Sequence, residues 1–268
     1  MAPRRSTALI QAVAGDMGYQ RAMANGRLKY YTGSRPASAD DAPTGTLLGT
    51  FTLAGAAYTA EVRATAVLAF TTDAGTPAVS VLTVGGLSLI ASTVTSDGTI
   101  ADLCSDLETA VNALTWLHGF TADSDATTVT ISAPVGLGAR ANGLAVVCTA
   151  AEVTVAINAG DADTMGVAGG NCTVGVTAAN GLNFQYPPVA GALTKETTAW
   201  QMTAVASGTV GYARWEFEGA DNQSTGTTFR RQDLTVGTSG TDLVVGTTTI
   251  TSGQTYTIDT GTFTLPLA

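Results

Sequence analysis

Short stretches of alternating apolar and polar residues recur along this chain, and they predict a protein built mostly of β-strands. In the clearest stretch, Ala213, Trp215 and Phe217 alternate with charged residues. Because successive side chains of a strand point to opposite faces, the aromatic face is expected in a core, and the face with Arg214 and Glu216 at the surface. Further strands are predicted at residues 27–31, 46–53, 128–132, 143–149, 152–158, 243–245, 248–251 and 255–265.

The middle of the chain carries the signals of a hairpin and of one amphipathic helix. Gly85-Gly86 separates two β-rich stretches, and this connection favours a tight hairpin because both glycines adopt positive φ readily. Thr99 is expected to cap the helix that follows. His118-Gly119 is expected to end it, since glycine readily takes the left-handed conformation of a last turn. The apolar stripe of the helix consists of Leu103, Leu107, Val111 and Leu114.

The two ends of the chain are predicted to form one domain together. Residues 25–65 and 181–268 carry strands and Gly-containing turns at the spacing of a sandwich. Residues 66–180 contain the hairpin, the helix and further strands, enough for a separate core. The expected fold class is therefore mainly β: an antiparallel β-sandwich or jelly-roll-like domain formed by both chain ends, with an inserted small α+β domain.

Residues 1–24 are predicted to form an N-terminal arm or short helix. Leu9, Val13 and Met17 lie at helical spacing behind Ser6, whose hydroxyl is a good helix cap. The basic residues of this segment are Arg4, Arg5 and Arg21. In an otherwise acidic chain they are expected to attract acidic neighbours.

Charge and composition narrow the classes of partner. The chain has 268 residues, 12 Lys and Arg, 21 Asp and Glu, and a net charge of −9. Because nucleic-acid affinity comes largely from basic residues that neutralise phosphates, no nucleic-acid partner is expected. The apolar stretch after Arg5 is interrupted by Gln11 and Asp16, and it stays below the roughly 18 residues of a membrane span. Neither a signal peptide nor a membrane partner is expected.

Three cysteines, Cys104, Cys148 and Cys172, lie far apart and lack C-x-x-C spacing. This spacing is not that of a zinc site, and free cysteine behaves as a small apolar residue. Buried free thiols are therefore expected. A disulfide between any two of them, such as Cys148–Cys172, is left open as an alternative.

One glycine-rich stretch matches a nucleotide-binding fingerprint. Gly136-x-Gly138-x-x-Ala141 follows a predicted strand, and in dinucleotide-binding proteins such glycines let the backbone approach a pyrophosphate at a helix N-terminus. Here the next stretch, residues 143–149, predicts a strand and not a helix. A loop is therefore expected, and no cofactor.

A single histidine and two pairs of acidic residues are the candidates for catalysis or metal binding. His118 is expected to stabilise a helix end or to lie at the surface, because no G-x-S-x-G nucleophile accompanies it. Asp161 and Asp163 offer carboxylates to calcium but lack the rest of a six-oxygen loop, which favours an acidic turn. Glu216 and Glu218 resemble the paired carboxylates of glycosidases, but an arginine beside them favours a charged outer face. The chain is expected not to be an enzyme, with no catalytic, cofactor-binding or metal-binding residue.

Three motifs, one near the front of the chain and two near its end, carry a family resemblance. The segment that begins at Gly26 has the pattern G-x-L-x-Y-Y-T-G-x-x-P-A-S-A-D-x-A-P-T-G-T-L-L, and residues 213–215 and 238–243 have the sequences A-R-W and T-S-G-T-D-L. In this order they resemble the opening and closing strands of a family of small virion-associated proteins of tailed bacteriophages. The resemblance implies a structural component of the virion, assembled in the bacterial host cytoplasm. It implies docking as repeated copies on the head as a capsid decoration, on the neck or collar, or on the tail, without deciding among them.

The resemblance also implies partners. These are other virion proteins, namely capsid, neck or tail components, and further copies of the chain in a homo-oligomer, a trimer if it forms a projecting spike. The arm around residues 4–17 is expected to cross to a neighbouring subunit or to the particle surface.

The alternative function is a receptor- or carbohydrate-binding module of a tail or collar fibre. Exposed aromatic rings would then stack on sugar faces, and Trp116, Trp200 and Tyr256 are the candidates by residue type. Only 6% of the residues are aromatic. Each candidate ring is therefore expected to be packed in a core and not to bind a ligand.

Overall fold

The computed structural model describes residues 3–15, 18–96, 98–168, 171–185, 192–217, 219–259 and 262–264. The chain is mainly β, with antiparallel sheets and few helices, which confirms the predicted fold class. The strands are β1 (Arg4–Arg5), β2 (Arg27–Tyr31), β3 (Leu47–Leu53), β4 (Thr65–Val84), β5 (Leu87–Ser88), β6 (Val94–Thr95), β7 (Thr121–Ser124), β8 (Thr128–Ser132), β9 (Val146–Ile157), β10 (Ala192–Thr194), β11 (Trp200–Thr203), β12 (Gly208–Thr209), β13 (Tyr212–Glu216), β14 (Arg231–Gly237), β15 (Leu243–Val244), β16 (Thr249–Ile250), β17 (Thr255–Ile258) and β18 (Thr262–Thr264). The α-helices are α1 (Thr7–Ala14), α2 (Tyr19–Ala22), α3 (Ile100–Ala113) and α4 (Thr115–His118). Among the described helices, none is long and apolar enough to cross a bilayer.

Contacts divide the chain into two compact units. The split unit comprises Met1–Thr59 with Ala178–Ala268, and the inserted unit comprises Ala60–Thr177. Within the split unit, Thr59 and Ala179 exchange backbone hydrogen bonds of 3.1 and 3.0 Å. The segments that leave and re-enter this unit therefore lie side by side, at 59/60 and 177/178. The hydrophobic pattern had placed the two borders slightly later, at 65/66 and 180/181.

The split unit is built on an eight-stranded sheet that curls into a half-barrel. Its strands follow the order β1-β14-β13-β2-β3-β11-β17, with β15 beside β14. Two further pairs, β10–β18 and β12–β16, complete the strand set that the structure describes. Strand β2, from the start of the chain, pairs antiparallel with both β3 and β13. Strands from the two chain ends are thus hydrogen-bonded neighbours.

Aromatic rings fill the core of the split unit. Trp215 lies 5.1 Å from the rings of both Trp200 and Phe184, measured between centroids, and its indole N–H donates to the Met23 carbonyl at 3.0 Å. This confirms Trp215 as a core residue. A Cβ on Gly26, the first residue of the motif, would lie 2.3 Å from the indole nitrogen, so only glycine lets β2 approach this ring.

The N-terminal segment packs on its own chain. Ser6 caps α1 as predicted, since its hydroxyl accepts the N–H of Leu9 at 3.2 Å, and Leu9 is buried. Val13 is exposed instead of sharing that face, and Met17 lies outside the described residues. Before the helix, β1 pairs with β14 at the sheet edge. A two-residue strand has no periodicity, so the sequence could not reveal this pairing.

In the inserted unit, β4 is the central strand of a sheet that α3 covers. The chain folds β7, β8, β4 and β9 side by side, and β5 and β6 also pair with β4. Thr99 caps α3 by accepting the Asp102 N–H at 3.1 Å, as predicted. The predicted stripe faces the core, with Leu103, Leu107 and Val111 buried. The helix breaks at Leu114, and α4 ends at Gly119 with a φ of 75°, also as predicted.

The strands around β4 depart from the sequence pattern in length. The Gly85-Gly86 hairpin is confirmed, with φ of 58° and 83°, but its second strand is only two residues long. The separate strands predicted at 143–149 and 152–158 form one strand, β9. Strand β4 has 20 residues and pairs with both halves of β9, while Glu152, with a φ of 60°, has no β4 partner and lies at the irregularity between the two halves.

The paired crossing segments predict that the inserted unit can be removed. Residues 60–178 are replaced by Asn-Gly, so that Thr59 and Ala179, roughly 5.5 Å apart as a bonded pair, close a two-residue hairpin. We expect the β signal in circular dichroism and a cooperative thermal melt to persist. In a control variant, Thr65 is joined directly to Gly181, which deletes Asn180. The Asn180 carbonyl accepts the Leu53 N–H at 2.9 Å, and its side-chain amide donates to the Ala57 carbonyl at 2.7 Å, so both hydrogen bonds are lost. The control should melt at a lower temperature. An insoluble or molten Asn-Gly variant would contradict the expectation.

Candidate functional site

The candidate site is a layer of charged side chains on the split unit's sheet, on the face opposite the aromatic core. Strand register places Glu216 between Arg27 and Arg231, and Arg214 between Lys29 and Asp233. Opposite charges therefore alternate along the row of Arg27, Glu216 and Arg231. In the other row Lys29 lies opposite Arg214, and the two cations contact different carboxylates, since Lys29 Nζ lies 2.9 Å from Glu216 while Arg214 pairs with Asp233. Like charges directly opposite one another destabilise a sheet, and these two carboxylates compensate for that contact.

The sequence prediction that this face lies at the surface was wrong. Arg214, Glu216, Arg231 and Asp233 are all 0% exposed. The alternation itself is correct, since Trp215 and Ala213 enter the core on the other face. A period of two tells which residues share a face, but not whether a loop covers that face.

Two bidentate ion pairs hold the centre of this charged layer. Arg214 Nε and Nη2 contact the two oxygens of Asp233 at 2.7 and 2.8 Å, and Arg214 Nη1 donates to the Asp41 carbonyl at 2.9 Å. Arg231 Nε and Nη2 contact Asp221 at 2.6 and 2.5 Å. Burial acts to raise the pKa of Asp221, but the hydrogen bonds and charge of Arg231 outweigh it and leave that pKa lowered. Asp221 is therefore ionised beside Arg231 at neutral pH.

The loop between β2 and β3, residues 32–46, covers part of this layer. Besides Asp41, it contributes Thr44, whose N–H and carbonyl both bond the Tyr212 hydroxyl at 3.0 Å. Arg35 of the same loop lies 3.6 Å from Asp242 and donates to the Asp233 carbonyl at 3.2 Å. Residues of the front motif thus bind residues of both rear motifs. All three stretches that carry the family resemblance meet in the charged layer.

A groove of about 400 Å³ lies beside the layer, on strands β2, β3 and β11. Its polar lining includes Arg27, Lys29, Thr50, Tyr58 and Gln201. Arg27 and Lys29 contact the same oxygen of the buried Glu216, at 3.3 and 2.9 Å. The Arg27 guanidinium also lies 4.3 Å from the Tyr58 ring centroid. The positive charges of the groove are therefore largely neutralised within the protein. Glu216 acts as their counter-ion, while Glu218 lies outside the described residues.

The glycine-rich loop of the inserted unit binds a carboxylate of its own chain. Glu61 Oε1 accepts the N–H groups of Gly136 and Gly138, both at 2.8 Å, and Glu61 is buried. A 3₁₀ turn at Gly138–Ala141 follows, as the loop interpretation expected. The donors that would bind a phosphate are thus occupied. The sequence did not point to Glu61, because it lies 75 residues before Gly136 and in no motif.

The remaining predicted candidates are scattered. His118 is buried, its Nδ1 accepts the Phe120 N–H at 3.1 Å, and burial lowers its pKa. It stabilises the turn after α4. Asp161 and Asp163 lie on an exposed turn. In the part of the chain that is described, no three His, Cys, Asp or Glu side chains are placed to hold a metal ion.

Cys104, Cys148 and Cys172 are free thiols, so the disulfide alternative was wrong. Burial raises the pKa of Cys104 to about 11 and that of Cys148 to about 12. Thiols with such pKa values are protonated at neutral pH and unreactive as nucleophiles.

The three candidate aromatics differ in exposure. Trp200 is buried in the core, and the Tyr256 hydroxyl accepts the Thr251 N–H at 2.8 Å. Trp116 is 72% exposed and Leu117 61% exposed, which corrects the expectation of a core position for Trp116. At 100° per residue, Trp116 lies on the side of the helix opposite Leu103, Leu107 and Val111, so the helical period itself places Trp116 outward and His118 inward.

Comparison of the chain with known protein families, with curated proteins and with solved structures found no match. The resemblance to virion-associated proteins therefore rests on its motif residues. The structure adds that the front stretch contacts both rear stretches, through Asp41 and Arg35 at variable positions of the front motif.

The charged layer predicts a large cost for removing one charge. Arg214→Ala leaves Asp233 buried without its bidentate partner, and we expect the free energy of unfolding to fall by about 3–5 kcal/mol in urea denaturation. The exposed Arg140 supplies the control, since Arg140→Ala should change stability by no more than about 0.5 kcal/mol. Replacing the pair together, with Arg214→Met and Asp233→Leu, should recover most of the loss. Equal effects of the two alanine variants would refute the role of the pair.

Proposed function

We propose that this protein is a non-enzymatic structural component of a tailed-bacteriophage virion, which docks as repeated copies on the head, the neck or collar, or the tail. One observation carries the proposal. The front stretch that resembles virion-associated proteins lies far in sequence from the two rear stretches, yet Asp41 contacts Arg214 and Arg35 contacts Asp242 in the charged layer. Stretches that share one substructure are what a common fold with these proteins requires, and this supports the proposal.

The charged layer suits a docking protein because it fixes surface loops. Asp41 and Thr44 are bonded to the sheet, while Ala37 and Ala42 of the same loop stay exposed. A loop held in one conformation loses little conformational entropy when it binds. Repeated copies on a symmetric particle then add weak contacts into stable attachment.

The proposed partners are capsid, neck or tail components and further copies of this chain, and the proposed location is the virion. The arm has a different proposed role from the one expected. Arg4 pairs with the sheet edge and Leu9 is buried in the split unit, so residues 4–14 stabilise their own subunit.

Incorporation into particles tests the proposal. A phage that lacks this gene is complemented with the wild-type chain, with Ala37→Lys and Ala42→Lys together, or with the control Ala101→Lys on the exposed face of α3. Quantitative mass spectrometry of purified particles should find several wild-type and control copies per particle and fewer copies of the loop variant. Particles without the wild-type polypeptide would refute the virion assignment.

A second candidate function, a receptor- or carbohydrate-binding module of a tail or collar fibre, is favoured by one observation. Trp116 is the exposed tryptophan among those described, and its ring is available for stacking on a sugar face. Trp116→Ala should then abolish binding on a glycan array and slow phage adsorption. The control is Leu87→Ala, at another exposed apolar residue of the inserted unit. Silence of the wild-type protein on the array, with normal adsorption of the Trp116 variant, would remove this function.

A further inference from the structure

Strand β9 is an edge strand with an open row of backbone groups. Among the described strands, it pairs only with β4. The Ser80 hydroxyl of β4 donates to the Thr149 carbonyl at 3.3 Å, while the Val146 N–H points the other way and donates to Asp163 at 2.8 Å. Backbone groups alternate in direction along an antiparallel strand, so those of Cys148 and Ala150 point outward.

The open stretch has definite ends. At one end the Asp163 carbonyl covers Val146, and at the other Glu152 turns the strand with its positive φ. Residues 147–151 remain between them. The backbone hydrogen bonds of the described chain include none from the outward groups of this stretch.

This stretch lacks the devices that usually protect a sheet edge. Exposed edges commonly carry lysine, proline or an inward-pointing charge, which prevent pairing with another chain. The sequence of β9 is V-V-C-T-A-A-E-V-T-V-A-I, with Glu152 as its one charge and no proline. Val147 is 49% exposed, and Val81, which lies opposite Thr149 on β4, is 39% exposed. In a chain with a net charge of −9, a neutral, partly apolar edge is a place where two copies can meet without opposed carboxylates.

We propose that β9 pairs edge to edge with β9 of a second copy of this chain, antiparallel and centred on Thr149. The occupant follows from the chemistry of the edge. Open N–H and C=O groups are satisfied by another strand, and a two-fold contact requires only that the surface complement itself. This proposal does not depend on the proposed virion function, since it concerns the purified chain.

The two-fold arrangement fits the ends of the open stretch. Centring on Thr149 places Cys148 opposite Ala150 of the partner subunit, so outward groups face outward groups. Val147 then lies opposite Ala151 of the partner subunit, and the contact stops where Asp163 and Glu152 bound it in both copies. Carboxylates therefore approach only at the two ends. Salt screens them, so the contact should strengthen with ionic strength, whereas a contact through a basic arm would weaken.

Two variants of the full-length chain test the edge. Ala150→Pro removes an outward N–H and leaves the groups that bond β4 in place. Thr149→Lys brings two ammonium groups together at the centre of the contact. The matched control is Thr257→Lys, an exposed threonine on β17, the edge strand of the split unit.

Sedimentation velocity at about 0.1 and 0.5 M salt provides the readout, with thermal melts to verify folding. We expect a wild-type dimer that strengthens with salt, at least about tenfold weaker association for Thr149→Lys and Ala150→Pro, and no change for the control. Should Ala150→Pro fail to fold, the surface variant Thr149→Lys still decides. A wild-type monomer at both salt concentrations would overturn the proposal, as would a dimer or trimer that Thr149→Lys leaves intact.

Discussion

The bidentate pair of Arg214 and Asp233 is the interaction on which the split unit depends. Both side chains are withdrawn from water, and each would be costly to bury without the other. The pair joins β13 to β14, and the third nitrogen of Arg214 reaches the carbonyl of Asp41 in the front loop. Sheet, ion pair and loop therefore stabilise one another. Strand β13, whose other face supplies Trp215 to the core, therefore also holds the front loop in place.

This layer also determines how charge is distributed over the protein. Six of the 12 basic residues of the chain make contacts in or beside it: Arg4, Arg27, Lys29, Arg35, Arg214 and Arg231. They are turned toward carboxylates and carbonyls of their own chain. Surface acids elsewhere consequently lack many basic neighbours. Against the net charge of −9, residues 147–151 of β9 carry no charge.

For the proposed virion role, the different structural features of the two units matter more than any reactive group. The split unit holds the motif residues and fixes its loops through buried ion pairs, which suits a part that docks. The inserted unit carries the exposed Trp116 and the open edge of β9, which suit contacts with other molecules. The loop that resembled a nucleotide site has its donors occupied by Glu61. Its glycines therefore serve a local structural purpose.

Local pattern alone determined the mainly β class, the helix cap at Thr99, the turns at Gly85-Gly86 and Gly119, and the core position of Trp215, because these depend on neighbours within a few residues. Only the tertiary structure decided that Arg214 and Glu216 are buried, that Arg4 and Arg5 add a strand, and that β9 is continuous. Each of these depends on a partner far away in sequence: a covering loop, a sheet edge or a long neighbouring strand. A period of two or of 3.6 residues specifies which side chains share a face. What lies against that face is decided by the packing of distant segments.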